Sequence, residues 1–244
     1  MKPYYQTIAR AYSRHRRVHP GVVNGLISTA QLGSDSSVLE VGCGTGNYLA
    51  ALNEVAACHC WGIDPSEAML AEAHKNCPEA QISCAPAERM ALAPDQFDLV
   101  FAVDVIHHIS GRPQAFRECR RVLRANGKLC LVTDSPEIIR SREPLSTYFP
   151  ETVEVELARY PDIDTLDAEL RDAGFSDIFQ KEVEIRQQLA GIEPYRSKVF
   201  SSLRLISQEA FERGLRRLEQ DLRSEPITCS SRYVMLWADN SRNK

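Results

Sequence analysis

Val38-Leu39-Glu40-Val41-Gly42-Cys43-Gly44-Thr45-Gly46-Asn47 is the stretch that decides how this chain of 244 residues folds. An apolar, β-branched run ends in an acid and then in three alternating glycines. Behind it, Tyr48-Leu49-Ala50-Ala51-Leu52 reads as the start of a helix. A buried parallel strand therefore runs into a tight turn whose backbone can approach a ligand closely, because glycine has no Cβ. Such a turn at the head of a βαβ unit points to a nucleotide-like ligand.

The spacing narrows the choice of ligand. A dinucleotide fingerprint, Gly-x-Gly-x-x-Gly, would need its third glycine at position 47, where Asn47 stands; Gly46 comes one residue early. No Gly-Lys-Ser/Thr follows, which excludes a P-loop. Further on, Cys58-His59-Cys60-Trp61-Gly62-Ile63-Asp64 reads as a second strand ending in a carboxylate. An acid at that tip is placed to accept both hydroxyls of an adenosine ribose. The two signals together fit an adenosine ligand without a pyrophosphate bridge.

Working outward, periodicity predicts helices over residues 3–17 and 20–31, the second with Val22, Val23, Leu26 and Ile27 at helical spacing. Strands are expected over 37–41, 60–64, 80–84, 97–103 and 128–133, with helices over 48–54, 66–76 and 114–123 between them. Asp64-Pro65-Ser66 makes a good helix start and Asn126-Gly127 a good turn. This alternation argues for an α/β fold with a doubly wound, mainly parallel sheet. A helix over 165–173, capped by Asp164 or Thr165 and closed by Gly174, a sixth strand over 178–185 and an amphipathic helix over 207–223 follow.

These residues closely resemble the class I S-adenosylmethionine-dependent methyltransferases, especially their small-molecule and quinone-biosynthesis branch, over roughly residues 5–135. Glu40-Val41-Gly42-Cys43-Gly44-Thr45-Gly46 looks like the family's first motif and Gly62-Ile63-Asp64-Pro65-Ser66 like its second. Ala87-Glu88 ahead of Phe97-Asp98-Leu99-Val100-Phe101 is similar to the adenine loop and fourth strand. Val105-Ile106-His107-His108-Ile109 and the run from Arg120 to Gly127 also match in order. The resemblance implies a Rossmann-like sheet of seven strands, the last reversed, for which residues 232–238 are the candidate. It also implies S-adenosylmethionine as cofactor, S-adenosylhomocysteine as product, and a small-molecule acceptor with an O, N, S or C nucleophile.

Site roles follow from the resemblance. Gly42, Cys43, Gly44 and Gly46 would pass beneath the methionine part, and Glu40 would orient its amino group. Asp64 and Pro65 would lie at the ribose, Met69 and the Ala87 backbone at the adenine, and Val103 at the end of the fourth strand. Relatives often carry an acid just before that alanine; Pro86 stands there instead, leaving Glu88 as a substitute for recognising the adenine amino group. Tyr12 and Arg16 match a Tyr-x-x-x-Arg pattern that reaches the methionine end, although a solvated basic face is the plainer account of Arg14, Arg16 and Arg17. His107, at the mouth of the fourth strand, is the candidate general base; a packing role is its alternative.

The rest of the chain bounds the function. Formal charge is −4, which gives no general pull toward nucleic acid or anionic membrane. No apolar run approaches the ~20 residues needed to span a bilayer, and the first residues lack a signal-peptide core, so a cytoplasmic location is expected. Eight cysteines without a Cys-x-x-Cys pair read as reduced core residues, and no metal site is expected. A single methyltransferase domain over 1–244 is expected, with a cofactor core at about 34–135 and substrate-covering elements at 1–31 and in a lid-like insertion at 136–230. Within the insertion Tyr148, Tyr195 and Arg196 are the candidate substrate-binding residues, with Phe149, Tyr160, Arg140 and Arg142 as further wall residues. An RNA or protein methyltransferase, or a non-catalytic binding module, is the alternative; the acidic balance and the lack of an Asn/Asp-Pro-Pro-Tyr motif speak against nucleic acid. Oligomeric state is not legible.

Overall fold

Every residue of β1 (Ser37–Val41) is buried, as expected of a strand covered on both faces. The computed structural model, which describes residues 18–241, pairs it in parallel with β2 (His59–Asp64) and β4 (Phe97–Val103). With β3 (Gln81–Cys84), β5 (Leu123–Thr133), β6 (Ser176–Gln188) and β7 (Thr228–Asp239), the sheet runs β3-β2-β1-β4-β5-β7-β6. β7 is antiparallel to both its neighbours, so the reversed seventh strand lies where the sequence places it and is longer at both ends. The helix expected over residues 3–17 lies outside the described residues, as do Tyr12 and Arg16.

Alternate residues of each strand feed two cores on opposite faces of the sheet. Leu39, Val41, Phe97 and Val100 pack in one with Phe116 of α4 (Arg112–Val122). Val38, Leu99, Phe101 and Trp237 pack in the other with α1 (Pro20–Ala30) and α2 (Asn47–Ala56). Cys58 and Cys60 share this second core with their Sγ atoms 3.9 Å apart, while His59 between them is exposed. α3 (Glu67–Asn76) follows β2 and returns its last side chain to the glycine turn, where Asn76 Nδ2 donates to Thr45 O at 2.8 Å.

After β5 the chain builds α5 (Pro136–Ser141), α6 (Leu145–Tyr148), α7 (Glu151–Leu157) and α8 (Ile163–Asp172). The cap of α8 is neither Asp164 nor Thr165: Asp162 Oδ1 accepts from Thr165 N at 2.7 Å, and the helix begins two residues before the expected start. α8 buries Leu166 and Leu170 in the first core, and Glu169 grips Arg112 of α4 through two bonds of 2.8 and 2.7 Å. α9 (Glu193–Arg196) and α10 (Gln208–Ser224) follow β6. Leu145, Tyr148, Phe149, Tyr195, Phe211 and Leu218 form a third hydrophobic cluster belonging to the insertion itself.

The approach of α10 to α6 is set by Gly214, where a Cβ would stand 2.4 Å from Tyr148 O and 2.5 Å from the Phe149 ring. Because one obstacle is backbone, the contact cannot be relieved by a rotamer change. Gly214→Ala should cost about 1–3 kcal/mol through overpacking, read as a fall in denaturation midpoint; an unchanged midpoint would show that α10 sits away from α6.

Candidate active site

At the carboxyl edge of β1 the chain turns through Gly42, Gly44 and Gly46, with φ of +71°, +52° and +73°. A Cβ on Gly42 would meet Val105 at 2.5 Å, whereas one on Gly44 would meet no protein atom within 4 Å. The turn is thus packed beneath and open above. Asp64, at the same edge of β2, ties two loops together: Oδ2 accepts from Gly44 N at 3.0 Å and Oδ1 from Ser66 N at 2.8 Å. Those N–H groups favour its ionised form, but burial outweighs them and raises its pKa. Glu40 on β1 is 3% exposed, and its Oε2 meets no hydrogen-bond partner among the described residues. Burial, then the neighbouring charge of Asp64, pushes the Glu40 carboxyl well above its usual range.

Beside this turn, a cavity of about 480 Å³ opens where β4 and β5 end. Asp104 follows β4 in the left-handed region, φ +53°, and its Oδ1 accepts the Tyr160 hydroxyl at 2.6 Å. The Tyr160 ring stacks on His107 with centroids 3.9 Å apart, and His107 Nδ1 lies 4.0 Å from Asp104 Oδ1. Burial, with the charges of Asp104 and Asp134, holds the Tyr160 hydroxyl protonated well beyond its ordinary range. Asp134 follows β5 and binds Arg142, whose Nη1 also donates to Glu156 Oε2 at 2.7 Å. These carboxylates raise the guanidinium's pKa against the opposing effect of its burial. The insertion is therefore tied to two strand ends by Tyr160 and Arg142.

This arrangement, a glycine turn after β1 and an acid after β2 in a sheet with one reversed strand, has counterparts. Residues 39–131 match the family model described as a methyltransferase domain. Over that segment the chain is similar to a methyltransferase domain. A malonyl-acyl-carrier-protein O-methyltransferase of Legionella pneumophila is 37% identical over 109 residues, 42% of this chain and 38% of that protein. A ubiquinone biosynthesis O-methyltransferase of Pseudomonas paraeruginosa is 32% identical over 121 residues, 48% of this chain and 51% of its own. The chain spans about half or less of the length of these curated relatives. Among solved structures, an Anabaena variabilis protein described as a methyltransferase from an antibiotic biosynthesis pathway shares the fold with a TM-score of 0.72. Its identity to the chain is 24%, over 91% of this chain and 98% of that one.

The fold brings most of the expected positions to one edge and moves others elsewhere. Met69 and Ala87 are buried, Pro65 is exposed beside Asp64, and Val103 ends β4. The Cys43 thiol packs among buried residues of the second core, so its side chain belongs to the interior. Glu88 Oε1 accepts from Gly111 N at 3.2 Å, at the start of α4. His107, Tyr160, Tyr195 and Arg142 line the cavity. Tyr148 and Arg196 do not. Tyr148 is buried in the insertion's own cluster with its hydroxyl on Asp221 at 2.9 Å, because that helix needs a hydrophobic seat. Arg196 lies on the surface, bound by Glu193 and Glu219. Asp104, Asp134 and Glu156 were missed; an acid directly after each strand run was the available signal for the first two. No helix among the described residues is long and apolar enough to cross a membrane.

Two outcomes follow from these charges. Arg142→Ala removes the guanidinium that binds the buried Asp134 and Glu156, a loss of about 3–5 kcal/mol; a change below about 1 kcal/mol would show that the pair is solvated. For Glu40, the folded state holds a proton that the unfolded chain releases above about pH 4. Stability therefore falls as pH climbs from that value toward the raised folded pKa. Glu40→Gln should remove this fall, stabilising the ligand-free protein by about 1–3 kcal/mol at neutral pH and leaving it near wild type at about pH 4. A variant destabilised equally at both pH values would contradict the assignment.

Proposed function

We propose that this protein transfers the methyl group of S-adenosylmethionine to a small-molecule acceptor held in the cavity at the ends of β4 and β5. The observation that carries the reading is the cavity itself: about 480 Å³, within the range of small-molecule sites. Its walls come from the insertion as well as the sheet. A volume of that size, with Tyr160 and Arg142 drawn onto the strand ends, suits a metabolite better than a folded RNA.

The residues beside the cavity fit the cofactor. Glu40 offers a buried carboxylate oxygen without a partner among the described residues, suited to the cofactor's ammonium group. Asp64 already accepts two backbone N–H groups, and a carboxylate has about four lone-pair sites, so ribose hydroxyls can still be received. The open space above Gly44 lets the ligand approach the backbone. When bound, the cofactor supplies an electrophilic methyl on a sulfonium, which the acceptor's lone pair takes as the thioether leaves with the bonding pair. The protein's part is to orient the acceptor, exclude water and receive any proton it loses. His107 is the group we assign to the proton: its side chain is 2% exposed, it lines the cavity, and Asp104 faces its Nδ1.

Asp64→Ala should weaken S-adenosylhomocysteine binding by about 1.5–3 kcal/mol in calorimetry, the cost of losing hydrogen bonds to a charged acceptor. Unchanged affinity would defeat the cofactor assignment. Incubation of the protein with methyl-labelled cofactor and a cell extract should place the label in the low-mass fraction; label confined to RNA or protein would overturn the acceptor assignment. Once an acceptor is in hand, His107→Ala should lower turnover about 10²–10⁴-fold with cofactor affinity unchanged. Full turnover in that variant would leave His107 as a packing residue.

A further inference from the structure

An imidazole that is to take a proton must present its ring nitrogen in one plane, yet the torsion that sets a histidine's ring plane is broad. His107 stands on the short turn Ile106–His108 directly after β4, where Ile106 packs into the first core. The plane of the His107 ring is met from outside that turn. Tyr160 lies against it with centroids 3.9 Å apart and planes 22° from parallel. At that separation the imidazole cannot turn without driving an edge into the phenol face. Tyr160 is itself held. Its N donates to Glu156 O at 2.9 Å at the end of α7, and its hydroxyl donates to Asp104 Oδ1 at 2.6 Å. Two residues later Asp162 caps α8, which Leu166 and Leu170 seat in the first core. The ring thus reaches His107 from a short link, 158–162, between two anchored helices.

We propose that Tyr160 is a positioning residue for His107: its ring fixes the imidazole plane, and its hydroxyl fixes the ring. The inference rests on the methyl-transfer reading above, with His107 as the group that takes the proton, and adds that the insertion completes the base. A general base works only within hydrogen-bond reach of the proton it removes, and a misplacement of about 1 Å can cost about 10²-fold in rate. Tyr160 belongs to the insertion and His107 to the sheet's edge. An insertion unseated from β4 would leave the imidazole plane unset, so covering the cavity and readying the base are one event. In the step itself the acceptor's bond to hydrogen breaks and a ring N–H bond forms on His107. Tyr160 neither gains nor loses a proton, and its hydroxyl stays on Asp104.

The test is a double-mutant cycle on methyl transfer from labelled S-adenosylmethionine to the low-mass fraction of a cell extract, at neutral pH and saturating cofactor. Tyr160→Leu removes the ring and should slow transfer about 10²-fold, with S-adenosylhomocysteine affinity retained as the report of folding. Tyr160→Phe keeps the ring without its hydroxyl and should recover most of that loss. In the His107→Ala background, Tyr160→Leu should cost less than about twofold further, because no imidazole is left to position. A residue that only supports the wall would slow both backgrounds alike. Nuclear magnetic resonance on isotope-labelled histidine needs no Tyr160 variant: the imidazole signal that His107→Ala removes should stand upfield of the others through the ring current of Tyr160. Equal losses in both backgrounds, an undiminished rate in Tyr160→Leu, or a His107 signal without the upfield shift overturns the positioning role and leaves methyl transfer in place. Transfer undiminished by His107→Ala overturns the assignment of the proton and this inference with it. No transfer by the unaltered protein overturns the methyl-transfer reading beneath both.

Discussion

Two carboxylates held at adjoining strand ends, Glu40 and Asp64, are the constraint around which the rest of the site is arranged. Asp64 is tolerable in its half-buried place because two loops turn their N–H groups toward it, and in doing so it fixes those loops relative to one another. Glu40 has less compensation, and burial together with Asp64 drives its carboxyl toward the neutral form. Such an arrangement is unfavourable in the ligand-free protein. On the proposed reading, a bound cation and a pair of hydroxyls would offset that cost.

The acceptor side repeats the theme with different means. Asp104 and Asp134 stand at the ends of β4 and β5, and the insertion supplies Tyr160 and Arg142 to meet them. Long-range polar bonds thereby shape the cavity, while the insertion's own hydrophobic cluster around Phe149 and Phe211, which includes the cavity-lining Tyr195, lies behind it.

The cofactor half was legible because it is local. A strand, three glycines and an acid at the next strand tip each leave a pattern within a few residues, and β1, β2 and their turns stand where the pattern puts them. The acceptor half was legible only in part because its contacts are distant: Tyr160 and Asp104 lie 56 residues apart. The sequence offers Tyr148 as a substrate-binding candidate and Tyr160 as a further wall residue, yet the first serves the core of the insertion and the second the cavity. Only three-dimensional packing separates them. Arg196 was chosen for its charge, but Glu193 on its own helix and Glu219 on α10 claim it at the surface. The cap of α8 slipped by two to three residues because Asp162, Asp164 and Thr165 all suit that position, and the backbone selects the first.

On the proposed reading, the buried Glu40 carboxylate receives the ammonium of the cofactor's amino-acid part. Its most direct test compares S-adenosylhomocysteine with 5′-methylthioadenosine, which has the same adenosine and thioether but no amino acid, on wild-type protein and on Glu40→Gln. Wild type should prefer S-adenosylhomocysteine, and Glu40→Gln should lose about tenfold or more of that preference, with methylthioadenosine affinity little changed. Equal losses for both ligands would contradict it, placing Glu40 in the architecture of the turn instead of at the ammonium.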